Sequence, residues 1–213
     1  IFLLKVSLKS KIHPGFPIGT EMEWFTWLVG PVPNQPAPSL GFHFCVGLFR
    51  NFIFNDPEWD YSDYDFSSWA QDWELAASTL SATDTNLDDF RALGGKLIIW
   101  HGQSDAALPS TRSAQYFDAL LERDPSAHDY ARLYLIPGCG HCGGGPGISE
   151  VDWLDTIVDW VENDSAPEAV IASKKIRGQD EPATRPLASY PAKTVYKGSG
   201  DPNKADSFTS LSR

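Results

Sequence analysis

Hydrophobic positions in the middle of the chain recur with two different spacings. Leu87, Phe90 and Leu93 are spaced three apart, which predicts one apolar face of a helix. The glycine pair 94–95 predicts the end of that helix. Residues 96–100 follow as a short, nearly continuous apolar run, which is typical of a strand buried on both faces. The first predicted unit is therefore a helix followed by a strand.

The alternation continues with two more helices and one more strand. Ser110 is predicted to cap the second helix, residues 131–136 to form the next strand, and Ser149 to cap the third helix. The apolar face of the second helix is predicted to consist of Ala114, Phe117 and Leu120 or Leu121. That of the third is predicted to consist of Val151, Leu154, Val158 and Val161. Strands joined by helices in this order indicate an α/β fold with parallel strands and crossover helices.

Both ends of the chain lack this alternation. Residues 1–75 have weak periodicity and many turn formers, including the prolines within 31–38. The chain has 8 Trp, 7 Tyr and 12 Phe, and many of them fall within 16–73, which predicts an irregular region packed by aromatic side chains and able to line an apolar pocket. Residues 166–213 are polar, with Pro and Gly throughout, and are predicted to form an extended tail that wraps the domain or frays.

Charge and cysteine content limit the partners and the compartment. The net charge of −11 repels phosphate backbones and anionic membrane surfaces, so we expect no nucleic acid and no membrane partner. The apolar opening 1–11 carries its positive charges after the apolar run, unlike a signal peptide, and is too short to span a bilayer. The chain has three cysteines, Cys45, Cys139 and Cys142. In an oxidising compartment this odd number means that one thiol stays free or pairs with a cysteine outside the chain.

Two loops that follow predicted strands carry candidate chemistry. Residues 101–105 offer a carboxylate at Asp105, and residues 137–145 offer an imidazole at His141. In open α/β sheets, sites form at the carboxyl ends of the strands, where these two loops would meet. Each residue taken singly is more often structural than catalytic. Together, Asp105 followed by His141 matches the last two members of the Ser, Asp, His order of an α/β-hydrolase triad.

The chain contains no nucleophile motif for such a triad. No Gly-x-Ser-x-Gly pentapeptide occurs. Ser104 lacks the flanking glycines, and Ser199 lies in the polar tail with no strand before it. We therefore expect the nucleophile elbow upstream of residue 1.

Other interpretations of the polar residues are weaker. Cys139, His141 and Cys142 have poor zinc-ligand spacing and no second ligand cluster. The glycines within 143–147 are not followed by the Lys-Ser/Thr of a phosphate loop. The acidic run 56–65 lacks the Gly and the final Glu of an EF-hand and is expected to be a solvated loop. No metal site is predicted in this chain.

Around Asp105 and His141 the sequence resembles the tannase and feruloyl esterase family. The two motifs that carry the resemblance are GGKLIIWHGQSD at 94–105 and PGCGHCGGG at 137–145. Further similar segments are 13–21, 152–162, 166–167, 185–187 and 196–201. The resemblance is therefore spread over nearly the whole chain, and the loop that bears His141 and Cys142 is its most specific part.

The resemblance implies an α/β-hydrolase domain interrupted by a large lid domain that binds the acyl or phenolic part of an ester. Residues 1–78 would be the end of the lid, 79–165 the end of the hydrolase domain, and 166–213 the C-terminal tail. Asp105 would be the acid of the triad and His141 its general base.

The resemblance also implies a disulfide between Cys142 and an upstream cysteine just before the nucleophilic serine. Structural calcium would lie in the upstream part of the lid, so no cofactor is expected in this chain. The implied location is secreted or periplasmic. In one departure from the family, Ala188 stands where many relatives have a cysteine, and no cysteine follows Cys142.

On these grounds we expect the complete protein to be a serine esterase that hydrolyses small-molecule esters of aromatic acids through an acyl-enzyme. This chain alone is expected to be inactive. An upstream segment would supply the nucleophile, either in the same polypeptide or in a second chain joined through Cys142. The alternative is a non-catalytic fragment or interaction chain, which the missing nucleophile favours.

Overall fold

The computed structural model describes residues 13–30 and 39–211. The apolar opening 1–11 and the prolines within 31–38 lie outside the described residues. The chain divides into two compact units, Glu23–Asp84 and Ile1–Met22 with Thr85–Arg213. The lid boundary expected at residue 78 stays a prediction.

The smaller unit, Glu23–Asp84, is helical in its described part. Its helices are α1 (Trp24–Trp27), α2 (Leu40–Leu48), a π-helical turn (Phe49–Ile53), a 3₁₀ turn (Tyr61–Asp63), α3 (Trp69–Asp72) and α4 (Glu74–Leu80). The ring of Phe49 stacks with those of Trp59 and Trp73, at centroid separations of 4.9 and 5.6 Å. Aromatic pairs at such distances attract each other beyond the area they bury. The packing role predicted for aromatic side chains is confirmed in this unit.

The larger unit contains the predicted alternation of helices and strands. Its α-helices and β-strands are α5 (Asp88–Ala92), β1 (Leu97–Gly102), α6 (Thr111–Arg123), β2 (Ala131–Ile136), α7 (Trp153–Asn163), β3 (Ala169–Lys174), β4 (Ala183–Ala188), β5 (Lys193–Tyr196) and β6 (Phe208–Leu211). Strands β1 and β2 pair in parallel, from Leu97 opposite Ala131 to Gly102 opposite Ile136. Helix α6 connects them, which confirms the predicted crossover.

Helix α6 packs on the two-stranded sheet through its predicted apolar face. Phe117 and Leu120 are fully buried in one cluster with Leu133 of β2, and Leu121 is partly buried against it. Burial of a side chain of this size contributes about 1.5–3 kcal/mol relative to exposure. The face predicted for this helix is confirmed at Phe117 and Leu120.

The caps of two helices differ from the prediction. Ser110 lies at the N-cap of α6, but its side chain makes no capping hydrogen bond. Ser149 does not cap α7, because the Asp152 carboxylate accepts a hydrogen bond from the Asp155 backbone N–H at 3.0 Å and caps the helix instead. The chain just before this point is extended, since the backbone of Glu150 pairs with β3. The helix therefore begins later than the serine.

The apolar face predicted for α7 is wrong. Leu154 is 71% exposed and Val161 is 60% exposed, whereas Trp160 is buried. The helix packs on the sheet through its tryptophan side, where Trp153 stacks on Trp100 at 6.0 Å between ring centroids. Large aromatic rings bury more area than the aliphatic side chains on the opposite side. The face predicted for the first helix is also wrong at two of its three positions, because Phe90 and Leu93 are exposed and Leu87 alone of the three packs against the core cluster.

The strand predicted at 96–100 is also less enclosed than expected. Trp100 of β1 is 38% exposed. Within the described part of the chain, β1 pairs with β2 along one edge, and no strand pairs with its other edge. The prediction of a strand buried on both faces is therefore wrong for this residue.

Residues 166–211 of the tail are more ordered than the extended segment predicted at 166–213. They contain two antiparallel strand pairs, β3 with β4 and β5 with β6. Val170 and Ala172 are buried on alternate positions of β3, as in a half-buried strand. The buried guanidinium of Arg132 on β2 donates a hydrogen bond to the Pro167 carbonyl at 3.2 Å. This contact holds the start of the segment against the parallel sheet.

Candidate active site

The two predicted site residues lie in loops at the carboxyl ends of β1 and β2. The Nδ1 atom of His141 lies 2.9 Å from Oδ2 of Asp105. The residues are 36 positions apart in the chain, and the parallel pairing of the two strands brings their loops together. The structure thus joins the carboxylate and the imidazole that the sequence offered separately.

Backbone amides hold the Asp105 carboxylate in place. Its side chain is 5% exposed. The Oδ1 atom accepts hydrogen bonds from the N–H groups of Ala107 at 2.7 Å and Leu108 at 2.8 Å. Hydrogen bonds from backbone amides offset the cost of burying a carboxylate. With Oδ1 occupied by the loop's own backbone, Oδ2 is the atom that faces the histidines.

The His141 ring is oriented as a triad requires. Its side chain is 27% exposed, so the ring is more accessible than the carboxylate. In a triad the Nδ1–H donates to the aspartate, and Nε2 is the atom that handles the proton of the nucleophile. The observed Nδ1 contact with Asp105 corresponds to that tautomer.

A second histidine, for which the sequence indicated no role, also contacts Asp105. The Nε2 atom of His101 lies 3.2 Å from Asp105 Oδ2 and 3.0 Å from the Leu108 carbonyl oxygen. Its Nδ1 atom lies 2.8 Å from the Ser113 hydroxyl on α6. The sequence feature that could have indicated a role for His101 was its position at the end of a predicted strand, four residues before Asp105.

Close backbone contacts join the two loops. A Cβ atom added at Gly102 would lie 2.4 Å from the Cys139 carbonyl oxygen and 2.5 Å from that of Gly140. The Ser104 N–H donates to the same Cys139 oxygen at 2.9 Å. The Cys139 side chain is buried in the core beneath the loop. Cys139, for which the sequence indicated no role, and Ser104 therefore support the loops structurally.

The loop that bears His141 is a tight, glycine-rich turn. A Cβ atom at Gly145 would lie 2.3 Å from the Gly138 carbonyl oxygen, and Gly145 has a φ of +82°. Cys142 is exposed and also has a positive φ, +60°. No disulfide joins the three cysteines, all of which lie within the described residues. The pairing predicted for Cys142 concerns an upstream cysteine and stays a prediction.

The rejected candidates do not assemble another site. Ser104 is 5% exposed, and Ser199 lies in the exposed segment between β5 and β6. Across residues 13–30 and 39–211, no group of three or more His, Cys, Asp or Glu side chains is arranged to hold a metal ion.

A cavity of about 840 Å³ lies in the larger unit and is lined in part by Gln103, Lys174 and Arg185. Neither Asp105 nor His141 lines it. We identify the site by the contact between Asp105 and His141, because a proton-transfer group requires hydrogen-bond geometry first.

Comparison with known proteins identifies relatives of this chain. A family model described as tannase and feruloyl esterase matches residues 19–211. Mono(2-hydroxyethyl) terephthalate hydrolase of Piscinibacter sakaiensis is 40% identical over 190 residues, which cover 86% of this chain and 30% of that protein. Feruloyl esterase B of Aspergillus niger is 30% identical over 179 residues, which cover 76% of this chain and 34% of that protein. The chain spans about a third of the length of these relatives.

Two solved structures share the fold. The crystal structure of an esterase from Aspergillus oryzae has a TM-score of 0.82 at 24% identity and covers 96% of this chain and 43% of that one. Feruloyl esterase B from the same organism has a TM-score of 0.80 at 23% identity and covers 95% and 42%. The α/β-hydrolase-like fold predicted from the sequence is confirmed. Because the family model matches nearly the whole chain, the chain belongs to the tannase and feruloyl esterase family.

Proposed function

We propose that the complete protein containing this chain is a serine carboxylic ester hydrolase that works through an acyl-enzyme. The observation that carries the proposal is the 2.9 Å contact between His141 Nδ1 and Asp105 Oδ2 at the carboxyl ends of parallel strands. Family membership supports the same chemistry. The nucleophilic serine is proposed to lie upstream of residue 1.

In the proposed reaction, the serine hydroxyl gives its proton to Nε2 of His141 while its oxygen attacks the ester carbonyl. The tetrahedral intermediate collapses when His141 returns that proton to the departing alcohol, which leaves the acyl group on the serine. His141 then takes a proton from water, which attacks the acyl-enzyme. The acid is released as the proton returns to the serine. The charge of Asp105 stabilises each imidazolium that forms.

We propose esters of aromatic acids as the substrate class. The support is the activity named for two relatives, a mono(2-hydroxyethyl) terephthalate hydrolase and a feruloyl esterase. Terephthalate and ferulate are both aromatic acids. The aromatic side chains of the smaller unit, such as Phe49 and Trp59, are of the kind that lines an apolar pocket.

We also propose a secreted or periplasmic location, where a disulfide from Cys142 to an upstream cysteine is stable. Structural calcium is proposed only for the upstream part of a lid domain. No helix in the described ranges is long and apolar enough to cross a membrane.

The test is His141→Ala in the complete protein, with an activated benzoate ester as substrate. We expect kcat to fall by about 10⁴-fold or more, because the base is lost from both steps of the reaction. His128→Gln is the matched control, since His128 packs against Phe117 in the same unit but lies outside the pair. Its kcat should be unchanged.

Two outcomes would count against the proposal. Retention of most of the activity by His141→Ala would remove His141 as the base. Absence of ester hydrolysis by the unmodified complete protein would favour the alternative, a non-catalytic interaction chain. Expressed alone, this chain should hydrolyse no ester.

A further inference from the structure

His101 occupies a position that the proposed mechanism does not use. It lies at the end of β1, and its side chain is 14% exposed. Both of its ring nitrogens have polar partners, on the Asp105 loop at one end and on α6 at the other. A partly buried imidazole with a partner at each nitrogen is held in one orientation.

The partners of His101 determine which ring nitrogen carries a hydrogen. Nε2 faces the Leu108 carbonyl oxygen, which can only accept, and the Asp105 carboxylate. Nε2 must therefore be protonated to make these contacts favourable. Nδ1 faces the Ser113 hydroxyl, which can donate to it. One tautomer, with hydrogen on Nε2, satisfies all three partners.

This tautomer makes His101 a second donor to the oxygen that orients the base. His101 Nε2–H and His141 Nδ1–H both point to Asp105 Oδ2, at 3.2 and 2.9 Å. The other oxygen, Oδ1, is held by two backbone amides. In the absence of His101, Oδ2 would keep the His141 contact but lose its link to strand β1 and helix α6.

We propose that His101 is a positioning residue for the triad, which it serves by fixing Asp105 Oδ2 through an Nε2–H donor held in register by Ser113. The inference rests on the proposed function of Asp105 and His141. His101 transfers no proton and touches no reacting atom. It keeps the acceptor oxygen still while His141 alternates between imidazole and imidazolium.

The role has a specific kinetic consequence. A loosely held Oδ2 lets the His141 ring rotate away from the nucleophile, which slows both proton transfers. Substrate binding does not depend on this contact, so kcat should fall while KM changes little. Small displacements of a catalytic group cost up to about 100-fold in rate.

Two substitutions of His101 in the complete protein separate the effect of the hydrogen-bond donor at Nε2 from the effect of losing the volume of the ring. In His101→Gln the amide nitrogen takes nearly the place of Nε2 and keeps the donor to Asp105. In His101→Asn the amide nitrogen takes the place of Nδ1, so the donor no longer reaches Oδ2. We expect the Asn variant to lose about 10- to 100-fold in kcat with KM within about twofold, and the Gln variant to stay within about threefold of the unmodified protein.

Thermal denaturation shows whether each variant is folded. Active-site titration with a phosphonate ester gives the concentration of competent enzyme, so that kcat is calculated per active site. If the Asn variant does not fold, the Ser113→Ala variant tests the positioning role instead. It leaves the imidazole in place but removes the hydrogen bond at Nδ1 that holds the ring against α6, and it should lower kcat by about three- to tenfold at constant KM.

The outcomes distinguish this inference from the proposed function. Full kcat in His101→Asn, or equal losses in the Asn and Gln variants, would overturn the positioning role. So would full kcat in Ser113→Ala if the Asn variant is unfolded. Activity surviving in His141→Ala would instead refute the proposed function. Inactive His141→Ala together with fully active His101→Asn would refute the positioning role alone.

Discussion

At the scale of single residues, the site depends on how closely two loops approach. Gly102 ends β1 at the point where the His141 loop crosses it, and the carbonyl oxygens of Cys139 and Gly140 occupy the space that a side chain would need. Both neighbours are backbone atoms, so they cannot rotate away as a flexible side chain would. The separation of Asp105 from His141 therefore depends on the absence of a Cβ atom at this position.

Gly102→Ala should separate the loops and damage both stability and catalysis. We expect a loss of about 1–3 kcal/mol in the free energy of unfolding, as for other overpacked sites, together with a lower kcat. Gly47→Ala is the control, since its Cβ would meet only the Asn51 side chain at 4.0 Å. Denaturation curves and ester hydrolysis measure the two effects. A Gly102→Ala protein with unchanged kcat would show that the loops tolerate a methyl group.

At the scale of elements, Asp124 ties the end of α6 to its neighbours. Its carboxylate accepts hydrogen bonds from the Ser126 hydroxyl at 2.6 Å, the Tyr130 hydroxyl at 3.0 Å and the Arg91 guanidinium at 3.3 Å. The Ser126 hydrogen bond, foremost, holds the pKa of Asp124 below its ordinary value. Burial, followed by the hydrogen bond to Asp124, raises the pKa of Tyr130 to about 12. Helix α6 joins the two strands that carry the site, so its end is anchored by an ionised group.

The lowered pKa of Asp124 predicts an acid-sensitive contribution to stability. A carboxyl group whose pKa is lower in the folded state than in the unfolded state stabilises the fold above its unfolded pKa, and this stabilisation is lost as the pH falls through the folded pKa. Asp124→Asn should therefore lower the melting temperature near pH 7, and the difference should shrink below about pH 4.

Melting curves at about pH 7 and about pH 3 test this prediction. Glu122→Gln on the same helix is the control, because Glu122 is exposed and is not one of the groups bound to Asp124. A difference between the Asn variant and the unmodified protein that stays the same at both pH values would contradict the assigned role.

At the scale of the whole molecule, the chain spans less than half the length of the relatives described above. It covers 30% of the terephthalate ester hydrolase and 43% of the Aspergillus oryzae esterase. Cys142 is exposed and directly follows His141, so it is accessible to a cysteine elsewhere in the complete protein. A disulfide there would hold the base loop at a fixed distance from the segment that bears the nucleophile.

Peptide mapping of the complete protein without reductant tests this link. We expect the peptide that contains Cys142 to appear joined to an upstream cysteine peptide and to separate from it after reduction. The Cys139 peptide is the internal control, because Cys139 is only 1% exposed and should remain unlinked. Alkylation of Cys142 in the native, unreduced protein would rule the disulfide out.

Several features followed from the sequence by itself because they depend on local periodicity and chain order. The face of α6 at Phe117 and Leu120 follows from helical spacing, and the parallel pairing of β1 with β2 follows from the helix between them. Asp105 and His141 could be paired because each directly follows a strand, and such loops meet at one edge of a sheet.

Only the tertiary structure decided the features that depend on contacts between distant segments. The buried side of α7 is its tryptophan side because Trp153 meets Trp100 of β1, a partner that helical periodicity cannot specify. The strands of the tail are short, and their pairing partners become evident only when the chain is folded. The role of His101 also depends on distant contacts, because its ring is held by Ser113, twelve residues further on and on another element, while its Nε2 faces Asp105 Oδ2. Local patterns predict elements and their order, whereas packing determines which side chains share an atom such as Asp105 Oδ2.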